Sequence, residues 1–540
     1  MNAFLNISIM NCNIGIDTLS LFKLLKMKKS IVISLLFPLL IIGCKTDKKQ
    51  LQTPKESKNE ESIITNNKNA FNDEYIVAVN GEQPRLAKIT AILHPDGNVI
   101  QMNEYNEHGL ENGWATFVEN IQVSDSHGRA LKVIAKENSQ WELQDYKEGL
   151  IKLSYQVRLE HDLLVPAIRG GDNGAAYAND DGVMWAGRAL FIGGKPTTNI
   201  GIRFDVPENW DVTTQWRRLR DTKHTFKIDK TNDLFYSAFF AGTHKHTELT
   251  TGNVSLNIAM SGKFTDEMST KIKEQVEKYF EYYGNRYKSP LKAQMVLIMG
   301  DRSYGGGEVM GKAISISLSP ETKKEMAINN GMTNRTSRLI AHELFHSFTF
   351  DQLEVDDSGK NAPLYEWFNE GFGAEYGAFS ALARTGVFTE SEFFDGIIYR
   401  MKEYQKEVDG ELTLVSAGND KFKYSTTVYW GGLMAAISLD FLIRDETNGK
   451  KNLDDLWVYL LKTYPKNGKA LTLTKIYDAA LKLYGKKISD AFMDYTSSPN
   501  EIPFFENAKL MGLSYENEKM ILAKNATERQ RKLWSSFLSK

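Results

Sequence analysis

The sequence predicts an α+β multidomain chain, with an N-terminal antiparallel β-sandwich-like domain, an α/β centre and a helical C-terminal part. Three observations carry this reading. From Glu74 to about Gly252, short alternating apolar and polar runs are punctuated by turn residues such as Pro95-Asp96-Gly97. At Thr265 the pattern turns helical and then alternates with buried-strand patterns. From Thr427 onward it is mostly helical, with breaks near Asn448-Gly449 and Pro465. The boundaries read as 1–43 for a leader, 44–73 for a spacer, 74–252 for the β-domain, 253–426 for the centre and 427–540 for the helical end.

Composition narrows the function classes. The chain has 540 residues, 42% of them hydrophobic, enough for several folded domains. Its 66 basic and 68 acidic residues leave a net charge of −2 and no electrostatic case for binding nucleic acid. Two cysteines cannot form a disulfide framework or a cysteine-rich zinc site, so any metal must be held by the nine histidines and the carboxylates.

At the start, Met27 begins a legible export segment, with Lys28 and Lys29 before the apolar run Ile31 to Ile42. That run is too short to span about 30 Å of hydrocarbon as a helix. Ile41-Ile42-Gly43-Cys44 has the pattern of a bacterial lipoprotein cleavage site, so translation from Met27 and lipidation of Cys44 are expected. The chain is then exported and membrane-anchored in the cell envelope, with Lys45 favouring the outer over the inner membrane. Lys45 to Asn72 is polar and cannot build a core, so it reads as a disordered spacer.

Within the β-domain, LAKITAILHPDGNVIQM reads as a hairpin, and LIKLSYQVRL, NIGIRFDV and VSLNIAMSG as further strands. TDEMSTKIKEQVEKYFEYYG then places Ile272, Val276, Tyr279 and Phe280 on one helical face. LKAQMVLIMG and KAISISLS read as strands on either side of a glycine-rich loop, SYGGGEVMG. Helical stretches follow at Arg335–Phe350 and Trp367–Ala383. His244 and His246 would share a strand face, but no carboxylate at useful spacing completes a metal site there.

The string that carries chemistry is RLIAHELFHSF, Arg338 to Phe348. His342 and His346 are four apart, so a helix turns both imidazoles to one face, within reach of a single zinc ion. Glu343 is placed to act as a base on water without ligating the metal. A catalytic zinc needs a third protein ligand. LYEWFNEGFGAEY offers Glu370, 24 residues after His346, with Glu366 and Glu375 as rival carboxylates.

HELFH followed by WFNEGF resembles the glycyl aminopeptidase-like metallopeptidases, a gluzincin family. YWGGLMAAISLDFLIR, Tyr429 to Arg444, is similar to the family's Y-x-K-G helix and its continuation, with Gly431 where the family has Lys. The resemblance spans most of Glu74 to Glu516, without the PDZ-like domain that many relatives carry. It implies a thermolysin-like catalytic domain and one zinc ion per chain on His342, His346 and Glu370. It also implies Glu343 as general base and acid, and Tyr429 as donor to the oxyanion, with Tyr424 as a second tyrosine near the substrate. Gly306, Gly307 and Glu308 stand in the exopeptidase loop, where the glutamate meets a free α-amine. The implied activity is an aminopeptidase acting on peptides with small N-terminal residues. The alternative is a surface lipoprotein that binds peptides or glycans through an inactive or structural zinc site.

Overall fold

The computed structural model describes residues 71–79, 86–104, 110, 112–159, 176–288, 294–301, 305–356, 365–408 and 410–539. The export segment, Cys44 and nearly all of the spacer lie outside the described residues.

The β-rich N-terminal domain forms as its alternating runs predict. Strands Asp73–Val79, Leu86–Leu93 and Ile151–Arg158 lie side by side in a ten-stranded sheet. In Leu86–Leu93, Ala87, Ile89, Ala91 and Leu93 point inward and are buried, as a two-residue period requires. Most pairings are antiparallel, but Asp73–Val79 runs parallel to Thr198–Asp205. Facing the ten-stranded sheet is a four-stranded one containing Gly182–Ala186 and Ala238–Gly242. Trp114, Trp185 and Phe239 fill the core of this domain.

The central sheet has five strands, in the order Lys245–Thr251, Val254–Met260, Gln294–Asp301, Ala313–Leu318 and Gly306–Met310. It therefore starts ahead of residue 252. The segment SYGGGEVMG is not simply a loop: Gly306–Met310 pairs antiparallel with Ala313–Leu318 as the edge strand. The glycines disguise it, because they carry neither β-propensity nor alternation.

The four-stranded sheet of the N-terminal domain packs on this central sheet. Tyr177, Met184 and Phe240 from one meet Val296, Ile298 and Met310 from the other in a shared apolar cluster. Helix α1, Asp266–Tyr287, is capped by Thr265, whose hydroxyl accepts from Met268 N at 3.1 Å, and Asp266 and Glu267 complement its N-terminal dipole. Its buried face, Ile272, Val276, Tyr279 and Phe280, is the one that the periodicity predicts.

Beyond it, α2 spans Asn334–Phe348 and α3 Gly432–Glu446, and both are deeply packed. The C-terminal part is helical apart from one hairpin, Leu513–Glu516 with Lys519–Leu522. No helix among the described residues is long and apolar enough to cross a membrane.

Candidate metal centre

Helix α2 is amphipathic in an unusual sense, since both of its faces are buried. Ile340, Ala341, Leu344, Phe345 and Phe348 enter the core, while His342, Glu343 and His346, at 5%, 5% and 6% exposure, lie against the edge strand Gly306–Met310 and the segment that holds Glu370. Thr333 caps the helix by accepting from Thr336 N at 3.1 Å.

The segment facing α2, Phe368–Glu375, is a π-helix. In an α-helix, residues five apart diverge around the axis, whereas the i→i+5 bonding of a π-helix returns them to one side. Glu370 and Glu375 are five apart, and both reach α2. Glu370 Oε2 lies 3.2 Å from His342 Nε2 and 3.5 Å from His346 Nε2. Glu375 Oε1 lies 2.9 Å from His342 Nδ1. Asn369 Oδ1 lies 2.9 Å from His346 Nδ1.

With the proton on Nδ1, beside Glu375 for His342 and Asn369 for His346, the Nε2 lone pairs face each other across 3.1 Å and Glu370 Oε2. Three acceptors converging on one point repel unless a cation sits between them. Ligand atoms of His342, His346 and Glu370 all fall within 4.8 Å of one another, so the donor set fits a zinc ion held by two histidines and one carboxylate.

Without a metal ion, a proton takes the cation's place. Burial opposes charge on His342, but the carboxylates of Glu370 and Glu375 outweigh it and hold its pKa at about 10. Burial also opposes charge on Glu370, yet Lys421 and the two histidines keep that carboxyl ionised, well below its usual range. Lys421 Nζ reaches Glu370 Oε1 at 3.0 Å and Glu366 Oε2 at 2.7 Å. Burial raises the pKa of Glu343, as suits a general base. Burial raises that of Tyr429 far more, with Glu370 adding to it, so the phenol remains a proton donor.

Tyr429 sits on a second π-helical segment, Thr427–Gly431, with its ring 6.1 Å from that of His342 and inclined by 24°. Gly371 permits this approach, because a Cβ there would strike the carbonyl oxygen of Val428. Gly307 touches the site from the other side: a Cβ there would overlap the Glu343 carboxylate. The edge strand and the base are thus in direct contact.

Not every expected residue gathers here. Tyr424 is engaged by Lys423, whose ammonium lies 4.7 Å from its ring. Glu366 and Glu375, the rival ligands, prove to be partners of Lys421 and His342. Glu308 meets the guanidinium of Arg188 from the N-terminal domain. His244 is buried on Thr213 Oγ1 at 2.6 Å, with burial lowering its pKa to about 4, while His246 is exposed. Sequence reasoning overlooked Asn369, Lys421 and Arg188. Only Asn369 carried a local signal, as the neighbour of the third ligand.

A family profile described as the Peptidase M61 N-terminal domain matches residues 110–243. No curated protein matches the chain in sequence. Among solved structures, an aminopeptidase N family protein from Idiomarina loihiensis is similar, at 15% identity and a TM-score of 0.68, covering 82% of this chain and 78% of that one. An M1 zinc metallopeptidase from Deinococcus radiodurans, at 13% identity, covers 80% of this chain and 94% of its own with a TM-score of 0.49. Yeast LTA4 hydrolase, also at 13%, covers 80% and 68% with a TM-score of 0.49. At these identities the likeness is one of fold. The chain thus combines a segment similar to the Peptidase M61 N-terminal domain, an architecture shared with an aminopeptidase N family protein and a buried His-His-Glu cluster.

Proposed function

We propose that the chain is a zinc-dependent peptidase that releases small N-terminal residues from peptides. The observation that carries this is the convergence of His342 Nε2, His346 Nε2 and Glu370 Oε2, with Glu343 and Tyr429 beside them. Bound by those three atoms, one zinc ion would acidify a water molecule and polarise the scissile carbonyl. Glu343 accepts the proton from the attacking water and returns it to the departing amine, and its burial strengthens its hold on that proton. Tyr429 donates a hydrogen bond to the oxyanion as negative charge develops there. Asn369 and Glu375 hold the two imidazoles in the required tautomers throughout.

A purely structural zinc normally has four protein ligands, and among the described residues three converge. The test is hydrolysis of a mixed peptide library, read by mass spectrometry, before and after Glu343→Gln. Equal cleavage by the two proteins would remove Glu343 from the mechanism. Retention of one zinc without any cleavage would favour the binding lipoprotein instead.

The export pattern supports anchoring through a lipid on Cys44, on the outer membrane of a bacterial envelope. Incorporation of labelled fatty acid, lost in Cys44→Ala, tests that placement.

A further inference from the structure

We propose that Lys421 restricts Glu370 to ligation through a single oxygen, so that the coordination position its other oxygen would take stays open to water and substrate. The inference deepens the zinc-peptidase reading above and rests on it. Glu370 divides its two oxygens between two sets of partners. Oε2 faces His342 Nε2 at 3.2 Å and His346 Nε2 at 3.5 Å. Oε1 accepts from Lys421 Nζ at 3.0 Å. The same ammonium donates to Glu366 Oε2 at 2.7 Å. Glu366 and Glu370 are four residues apart, about one helical turn, so their carboxylates stand on one face and Lys421 bridges them. The Lys421 side chain is 22% exposed, and those of Glu366 and Glu370 are 31% and 10% exposed.

The backbone holds this bridge in place. Lys421 lies on a wound run in which Tyr424 N donates to Asp420 O at 3.0 Å and Val428 N to Tyr424 O at 2.9 Å. The run leads into the π-helical segment that carries Tyr429. It crosses Phe368–Glu375 closely: a Cβ on Gly371 would overlap Val428 O, and one on Gly432 would overlap the backbone of Gly371. The contact between the two backbones keeps Nζ and Oε1 in register. Gly431 stands where the resembled family has its motif lysine, so the ammonium on Glu370 comes from elsewhere in this chain.

A carboxylate can bind a cation through one oxygen or through both. With Oε1 free, a small rotation of the Glu370 carboxylate would turn both oxygens toward a zinc ion held by the two Nε2 atoms. Protein atoms would then fill all four positions of a tetrahedral site, the arrangement of a structural rather than a catalytic zinc. Lys421 opposes that rotation, because it breaks a charge-assisted hydrogen bond and leaves the ammonium with Glu366 alone. Lys421 thus acts on the metal only through Glu370, by withholding one oxygen rather than presenting the other.

The experiment loads the full chain with cobalt(II) in place of zinc and reads coordination from the visible d–d bands, which weaken as four-coordinate cobalt becomes five-coordinate. X-ray absorption at the zinc edge gives the same reading for the zinc-loaded protein. Wild type should be four-coordinate. Lys421→Met should become five-coordinate with loss of band intensity, and its kcat should fall by about 10–100-fold with little change in KM. Lys421→Arg, which keeps a charged donor for Oε1, should restore the wild-type spectrum. A five-coordinate wild type, or a Lys421→Met spectrum equal to that of wild type, overturns the proposal. Should Lys421→Met fail to fold, Lys421→Gln, which removes the charge but keeps a polar end, takes its place with the same two outcomes. Protein that takes up neither metal defeats the zinc-peptidase reading itself, whereas peptide cleavage by a five-coordinate wild type overturns this proposal alone.

Discussion

Glu375 Oε1 stands 2.9 Å from His342 Nδ1, and the same carboxylate is gripped by Arg338 and faces Arg400 Nε at 3.9 Å. Trp430 lies within cation–π range of both arginines, 5.7 Å from the one and 4.6 Å from the other. The imidazole of His342 is therefore oriented by a charge cluster that lies outside the His-His-Glu set. Glu375→Gln should lower zinc affinity by about 10–100-fold, measured by competition with a chromophoric chelator. Unchanged affinity would show that the ring is held by packing alone.

Lys421 should behave in the opposite sense with respect to metal. It compensates Glu370 and Glu366, a task that zinc takes over in part once bound. Lys421→Met is expected to destabilise the metal-free protein by about 1–3 kcal/mol and the zinc-loaded protein by less. The melting shift produced by zinc should accordingly widen, as read by calorimetry with and without chelator. A narrower shift would mean that Lys421 mainly positions the ligand.

Tyr429→Phe removes one hydrogen-bond donor and little volume. If the phenol serves the oxyanion, kcat should fall by about 10²–10³ with a small change in KM. A pure KM effect would place the tyrosine on the ground-state substrate instead.

Acid stability should depend on Asp454. Burial opposes its charge, but Arg384 at 2.6 Å and Arg286 at 2.8 Å outweigh it and lower its pKa to about 2. A carboxyl depressed in the folded state stabilises above its unfolded pKa, near 4, and that contribution disappears as pH falls toward about 2. Asp454→Asn should therefore cost about 3–5 kcal/mol at neutral pH by stranding the arginines, and should flatten the loss of stability between about pH 4 and 2. Urea titrations of both proteins across that range give the comparison.

Gly307→Ala would place a methyl group where the Glu343 carboxylate lies. Activity should fall while far-ultraviolet circular dichroism and zinc content stay unchanged, because the strand itself accepts alanine. Retained activity would show that the base can shift aside.

Local pattern revealed a good part of this molecule. The 3.6-residue period of α1 and its threonine cap lie in one continuous stretch, as does the four-residue spacing of His342 and His346. The edge strand Gly306–Met310 was hidden because its glycines have no side chains to alternate. The role of Glu375 was hidden because helical counting assumes 3.6 residues per turn, and here the backbone is π-helical. Arg188 and Lys421 could not be found by pattern at all. Each is brought to its carboxylate by tertiary packing, across 120 residues for Arg188 and Glu308 and 51 for Lys421 and Glu370.

The helix that continues from Glu375, Tyr376–Arg384, ends on a guanidinium whose Nε donates to the carbonyl oxygen of Phe537 at 2.8 Å. The support of the metal centre thus includes a segment far downstream of its ligands. During synthesis, His342, His346 and Glu370 emerge long before that segment, so the nascent chain carries a loose ligand set first and a braced one only later. A chain built this way completes the bracing of its ligand set only when its last residues are in place.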